Sequence, residues 1–466
     1  MPPLAYYLAA FAVYTISIIL LTGQSFPMKE SVRSFYLGNR AVPLWPTAAT
    51  FCATWISPLS LVGFSMWYYR DGWVAFWSSV NGWMLGFLFF PFIVKRLRMA
   101  RVMSMPEWLE KSCGDVRVRR LAAAAMIFLY TVYLVIQFRA FGVIVSYMLQ
   151  IPQGFASTSL IYLFVLYTTF GGYPSVVRSD SLNLLLIIIG VSAAAYFALP
   201  GGFTLSDAAE VLRSESLRSP PETMSAAEIF SSFAVMLTWG FGVAANPQYA
   251  VRIIACRSRR EAFRLLSAAP YIIGWIYLCV SFFVMVCRVC HPDIGVMEET
   301  LGFAVLGQFL PPFASMLLLV CVIASAVSTA NSQLLLAACS LCYDLFPRRA
   351  PRGGVFGDER FLIANRAAVT VIASAALLLG TAELPGYMRL GSISWTLVAI
   401  LYFYPLFTPR LVVREILFSV LLCAVAAQLF LIFVFGLEPE YAMLAVMAGE
   451  GLVFALRRRA REASDV

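Results

Sequence analysis

The sequence predicts an all-α polytopic membrane protein with about thirteen transmembrane helices, and three observations carry that reading. Of the 466 residues, 61% are apolar and only 13% are charged, whereas a soluble domain carries about 25% charged residues. Apolar runs of the length a helix needs to cross hydrocarbon, roughly 20 residues, recur along the whole chain. Lys and Arg then collect in alternate segments between those runs. The cause is solvation: hydrocarbon offers no partner to charge or to free backbone groups, so a spanning segment must be apolar and helical. None of the runs has the ten-residue alternation of a barrel strand.

The first run, Leu4 to Leu21, has no basic leader and no small-residue cleavage site before Gln24, so it reads as a retained span. The expected helices are 4–22, 43–66, 73–94, 119–149, 155–172, 180–199, 229–250, 266–289, 301–342, 362–381, 385–407, 412–434 and 440–456. The fourth and ninth exceed one simple crossing and are expected to tilt, bend or run past the interface. With the N-terminus outside, 28 of the 34 basic residues fall on the inner side, among them Lys95, Arg96, Arg252, Arg257, Arg259, Arg260 and Arg457 to Arg459. Only Arg70, Arg213, Arg218 and Arg389 fall outside, while Arg139 and Arg288 lie within or near spans. That asymmetry follows the positive-inside rule and places the C-terminus in the cytoplasm of a cell (inner or plasma) membrane. One missed or invented helix would invert the pattern from that point onward.

Composition also excludes function classes. The net charge of +9 is topological and is not the footprint of a nucleic-acid partner. The ten cysteines sit mostly inside apolar runs, where Cys behaves as a small hydrophobe. No Walker motif is present, which argues against a primary pump. The longest non-apolar segments, 200–228 outside and 95–118 and 343–361 inside, are too short for a catalytic domain. Cys287-Arg288-Val289-Cys290-His291 fits the haem-attachment pattern. It lies at the outer end of an apolar helix with no domain to enclose a haem, and reads as coincidence. No enzyme activity and no cofactor are expected.

Two spans carry breaks. The second contains Thr54-Trp55-Ile56-Ser57-Pro58-Leu59-Ser60, and the seventh contains Thr238-Trp239-Gly240-Phe241-Gly242 followed by Asn246-Pro247. Proline removes a helix hydrogen bond and glycine weakens the helix. Backbone groups freed at mid-membrane are tolerated only against protein, water or a ligand. The two spans lie five apart, the spacing of the first helices in two five-helix inverted repeats. The alternative is that both merely kink packed helices. In the ninth span Ser325, Ser328, Thr329 and Ser332 share a broad helical face. Their oxygens suit a small hard cation, although such residues also serve as contacts between membrane helices.

Several segments resemble the sodium/solute symporter family, which has the LeuT-type fold. They are Thr54-Trp55-Ile56-Ser57, Tyr167-Thr168-Thr169-Phe170-Gly171-Gly172-Tyr173 with Val176 to Asp180, Asn246-Pro247-Gln248 through Arg252, and Ser328 to Leu335 with Asp344. The resemblance covers about residues 35 to 407. It implies an extra N-terminal helix and cytoplasmic linker (1–42) and a ten-helix core (43–407, with repeats at about 43–200 and 229–407). Two extra C-terminal helices and a basic cytoplasmic tail follow (408–466).

The resemblance implies a first sodium site at the backbone oxygens of Ala53, Ile56 and Ser325 and the hydroxyls of Ser328 and Thr329. It implies a second at Asp180, Ser328, Asn331 and Ser332, where Asn331 replaces the small hydroxyl residue of the members that hold it. Without the resemblance, Asp180 reads as a partner for Arg178. Ser57 and Ser60 match solute-contacting positions, while Trp55 and Leu59 disfavour a sugar. Trp239 faces the same region if the seventh span breaks at Gly240. Gln137 and Arg139 lie deep in the fourth span, and an intramembrane guanidinium suits a carboxylate. Alternatively Arg139 is structural, held by carbonyls or snorkelling outward.

The expected partners are sodium, a small organic solute and the lipid bilayer. The expected function is sodium-coupled symport. The alternatives are proton coupling in the same fold, and a transporter-fold nutrient sensor acting through a partner protein.

Overall fold

The computed structural model describes residues 4–23, 31–100, 102–199, 203–218, 225–292, 299–346 and 355–464, without the side chains of 98–99, 160–170, 216–218, 355–358 and 464. Lys29, Arg101, Arg348, Arg349 and Arg352 of the inner basic set, and the side chains of Arg98 and Tyr167 to Phe170, therefore lie outside the described residues. The helices are α1 (Leu4–Gly23), α2 (Val32–Leu37), α3 (Leu44–Trp55), α4 (Phe64–Asp71), α5 (Trp73–Ala100), α6 (Met105–Cys113), α7 (Val116–Leu149), α8 (Gln153–Phe197) and α9 (Leu205–Arg218). They continue with α10 (Ala226–Ala245), α11 (Pro247–Ala255), α12 (Arg259–Cys290), α13 (Glu299–Gly307), α14 (Pro312–Cys339), α15 (Val355–Gly380), α16 (Tyr387–Phe407), α17 (Leu417–Phe433) and α18 (Pro439–Ser464). No strand occurs among the described residues.

Among those residues eleven helices are long and apolar enough to cross a membrane, and α3 with Leu59–Asp71 makes a twelfth span bent by 55°. The expected count of thirteen is thus not reached by these helices alone. The remaining expected span, 155–172, is helical in backbone as the first part of α8, but most of its side chains are outside the described set. Burial sorts the spans. The most apolar window of α14 is 83% buried and that of α1 only 17%, so α14 is central and α1 faces lipid. Helix α14 packs against α8 and α7, α10 against α5 and α16, and α3 against α8 and α12.

The breaks have local causes. Helix α3 stops at Trp55, and Ile56 turns extended (φ −83, ψ 104) ahead of Ser57-Pro58. Pro58 has no N–H to offer the Thr54 carbonyl, and its ring clashes with that carbonyl in a continuous helix. The chain resumes through a π turn, Leu59–Gly63, that leads into α4. In the seventh span the break falls at Asn246 (φ −67, ψ 123), before Pro247, and not at Gly240. Gly240 and Gly242 sit inside α10 and serve packing: a Cβ would lie 2.8 Å from Leu85 Cδ2 and 2.8 Å from Trp395 Cβ respectively.

Three other expectations change. The ninth span is two helices, α13 and α14, because Pro311 and Pro312 interrupt it. The junction between the fifth and sixth spans is a sharp kink inside α8 at Gly172 (φ 52, ψ −153). Ser175 to Asp180 are consequently helical, and Arg178 is exposed while Asp180 is buried. Finally, α2, α6 and α9 are short helices in segments expected to be loops. Helix α6 carries a signal that was available in the sequence: Ser104 caps it by accepting from the Glu107 N–H at 3.1 Å, as a Ser-x-x-Glu pattern predicts.

Candidate ion and solute site

The break in α3 lies against the middle of α14, and together they form a pocket of oxygens. Ser328 Oγ is 2.9 Å from the Ala53 carbonyl and 3.1 Å from the Ser325 carbonyl. One hydroxyl proton therefore serves two acceptors. Thr329 Oγ1 lies 3.4 Å from the Thr54 carbonyl. The extended backbone of Ile56 takes its carbonyl out of the α3 ladder. All these residues are buried. Carbonyl and hydroxyl oxygens concentrated in a dry site suit a hard cation.

One turn further along α3 and α14 lies a second polar cluster. Its centre is the guanidinium of Arg252, from α11, which is 1% exposed. Its Nη2 donates to Thr50 Oγ1 at 3.2 Å, to Thr54 Oγ1 at 2.8 Å and to Ser332 Oγ. The same nitrogen is 3.8 Å from Asp180 Oδ2. Thr50 Oγ1 donates to that carboxylate oxygen at 2.5 Å. Nη1 donates to the Gln248 carbonyl at 2.8 Å. Asp180 thus faces Arg252 rather than Arg178.

On the other side of the α3 break the lining is aromatic. Trp55 stacks between Phe87 and Tyr249, with centroids at 4.7 and 4.6 Å. Ser60 Oγ donates to the Trp55 carbonyl at 3.3 Å, and Ser57 Oγ meets Tyr133 Oη at 3.3 Å. Gln137 is fully buried one turn from Tyr133, and its Nε2 donates to the Tyr133 carbonyl at 3.4 Å. Its Oε1 has no hydrogen-bond partner among the described residues.

Trp239 stacks on Trp83 at 5.2 Å and donates through Nε1 to Ser392 Oγ at 3.0 Å. Ser392 in turn donates to Glu440 of α18. Trp239 forms the floor of a vestibule of about 260 Å³, lined also by Trp67, Arg70, Asp71, Arg389 and Glu440. At the opposite end, beside Arg252 and Ser332, the free space is only about 10 Å³, room for about one water.

The sodium:solute symporter family profile matches residues 35–414. The chain belongs to the sodium:solute symporter family. The symporter is 21% identical over 380 residues to the sodium/proline symporter of Staphylococcus aureus, which covers 78% of this chain and 73% of that protein. It is 25% identical over 402 residues to the sodium/pantothenate symporter of Escherichia coli K12, covering 82% and 79%. Its fold is shared with a Na+-coupled sialic acid symporter solved in a substrate-bound outward-open state. That match has a TM-score of 0.81 and 16% identity, over 96% of this chain and 97% of the other. A more distant match is MhsT in complex with L-phenylalanine, at a TM-score of 0.53 and 14% identity, covering 89% and 99%. The fold is therefore LeuT-type, and the symporter is a multi-pass membrane transporter rather than an enzyme.

The structure brings together most of the residues singled out from sequence. Ala53, Ser325, Ser328 and Thr329 meet where α3 and α14 touch, with Ile56 at the α3 break, and Ser57, Ser60, Trp55 and Gln137 lie around that break. Arg139 stands apart from Gln137: two residues along a helix is a turn of about 200°. It is half-buried, and a methyl on Gly380 of α15 would touch its Cγ. Asn331 is buried beside Ser332. The haem-like motif is structural as well. Arg288 pairs with the buried Glu215 of α9 at 3.3 Å, and His291 stacks on Phe309.

Sequence reasoning missed Thr50, Tyr133 and above all Arg252, which the charge tally places among the inner basic residues. Its signal was there: Arg252 follows Asn246-Pro247 by one and a half turns inside an apolar segment. At that depth an arginine must be paired.

Proposed function

We propose that the symporter carries a small, carboxylate-bearing organic solute together with sodium by alternating access. Sodium sits on the carbonyls of Ala53, Ile56 and Ser325 and the hydroxyls of Ser328 and Thr329. The observation that carries this reading is the Ser328 hydroxyl held between two carbonyls at the α3 break. A cation there replaces the proton's half-satisfied bonding with full coordination and joins α3 to α14.

The solute binds on the other side of the same break, against Trp55, Ser57, Ser60, Gln137 and Trp239. The partnerless Gln137 oxygen supplies an acceptor. Proline, pantothenate and sialic acid, the cargoes of the proteins it resembles, all carry a carboxylate. Arg139 has no carboxylate in ion-pairing range among the described residues, which supports giving it the solute's. Its place beside Gly380 weighs the other way, so Arg139→Ala decides: selective loss of anionic cargo supports the assignment, and unchanged cargo removes it.

The arrangement is that of an outward-facing state, with the Trp239 vestibule toward the outside and the Arg252 end closed. The N-terminus is outside and the C-terminus cytoplasmic. Sodium binding orders α3 against α14 and so prepares the solute side. A potential of 100 mV contributes about 2.3 kcal/mol per sodium carried.

The test is uptake of carboxylates, amino acids and vitamins into proteoliposomes with and without a sodium gradient. Ser328→Ala and Thr329→Ala are expected to raise the sodium concentration for half-maximal uptake about tenfold or more, equivalent to roughly 1.4 kcal/mol of lost ion binding. Unaltered sodium dependence in both variants would refute the ion assignment.

A further inference from the structure

The structure assigns to Arg252 the role of a tethered cation that occupies the place of a second sodium, so that the symporter moves one sodium per cycle. This inference rests on the sodium-symport reading above and adds its stoichiometry. Of the residues expected at a second ion site, Asp180 and Ser332 face the Arg252 guanidinium, and so do the neighbouring hydroxyls of Thr50 and Thr54. One nitrogen, Nη2, gathers Thr50 Oγ1 at 3.2 Å, Thr54 Oγ1 at 2.8 Å, Asp180 Oδ2 at 3.8 Å and Ser332 Oγ.

The hydroxyl protons are also assigned. Thr50 directs its proton to Asp180, Ser332 reaches the Ser328 carbonyl at 3.1 Å, and the Thr54 and Ser332 hydroxyls share a hydrogen bond at 3.0 Å. What these oxygens have left to offer is lone pairs, and the guanidinium uses them. Charge agrees with geometry. Asp180 is fully buried, and the one basic group in its reach among the described residues is Arg252. The pair is neutral. A sodium added to it would leave a net positive charge in a dry core, beside the guanidinium. The free space beside Arg252 and Ser332 is only about 10 Å³, about one water.

The tether also has a mechanical consequence. Arg252 belongs to α11, the half-helix beyond the Asn246 break, and its bonds reach α3, α8 and α14 at once. Thr54 and Ser332 lie one residue and one turn from Ala53 and Ser328 of the proposed ion site. The tethered charge therefore closes the Arg252 end of the pathway on the two helices that sodium joins. A free second sodium would have to leave at every cycle, whereas the guanidinium only has to swing with α11.

The test is the number of sodium ions bound by the full-length purified chain, read with radioactive sodium at equilibrium. It is paired with the Hill coefficient for sodium in solute uptake. One ion per chain and a coefficient near 1 are expected. Arg252→Lys should keep both values. The double variant Arg252→Gln with Asn331→Ser removes the tether and restores a small hydroxyl, and should bind two ions with a coefficient approaching 2. Two ions bound by the unaltered chain would overturn the inference while leaving symport intact, and this arm does not depend on any variant folding. A folded double variant that still binds one ion would also overturn it. No sodium bound by the unaltered chain would sink the symport reading itself and this inference with it.

Discussion

Single atoms decide how the solute side works. The Gln137 side chain is fully buried, yet its Oε1 has no hydrogen-bond partner among the described residues. Leaving a buried acceptor unmade costs about 1–3 kcal/mol, so its presence beside Ser57 and Tyr133 points to a donor that arrives with the cargo. Replacing Gln137 by Leu removes that acceptor at nearly constant volume. The expected result is a rise in KM of roughly fivefold to tenfold, the equivalent of about one hydrogen bond, with the sodium dependence unchanged. Initial-rate uptake at saturating sodium measures it. An unaltered KM would mean that the oxygen is satisfied by water and not by solute. The aromatic residues follow a different logic. Trp55 is clamped by Phe87 and Tyr249, and Trp239 by Trp83 and Ser392, so both present fixed surfaces rather than mobile lids.

At the scale of elements, the interruptions place the site and the glycines let the helices close around it. Helix α8 turns at Gly172, whose φ of 52 and ψ of −153 fall in a region that is essentially glycine's alone. A Cβ there would also stand 2.7 Å from the Phe35 carbonyl and 2.7 Å from its ring. Gly172→Ala is therefore expected to cost at least the backbone strain of about 1–3 kcal/mol. In detergent the variant's thermal midpoint should fall by several degrees, and transport should fall with it, because the turn sets where Asp180 meets Arg252. An unchanged midpoint would mean that the kink can relax without the left-handed residue. At the end of α14 an ion-pair cluster does the corresponding work. Asp344 accepts from Arg119 at 2.9 Å and from Ser104 at 2.6 Å, and Arg119 also reaches Glu110 at 2.9 Å. Helices α6, α7 and α14 are held together there by buried charge.

For the whole molecule, the apolar runs and the basic clusters were enough to place most spans, because hydrocarbon forces both patterns on any chain that crosses it. Proline positions gave the α3 break. The second break also falls before a proline, Pro247, but Gly240 and Gly242 attract attention as helix breakers while their role is to admit Leu85 and Trp395. Arg252 was legible as a residue but not as a partner: which oxygens surround it depends on four helices that only the fold assembles.

The span count bears on topology, because an odd number puts the two termini on opposite sides and an even number on the same side. The length of helix α8 bears on the parity. Its 45 residues would extend about 67 Å as a straight helix, more than twice the hydrocarbon thickness of about 30 Å. A helix of that length fits two crossings, and the kink at Gly172 divides it into two pieces that are each long enough. Added to the twelve spans found by length and composition, that second crossing makes the proposed count thirteen and puts the proposed place of Arg457, Arg458, Arg459 and Arg461 in the cytoplasm. A fluorescent protein fused after Ser464 is expected to fluoresce, while an epitope placed before Leu4 is expected to be reached by antibody in intact cells. An epitope reached only after permeabilisation would mean an even count, with α8 crossing once and running on along the surface.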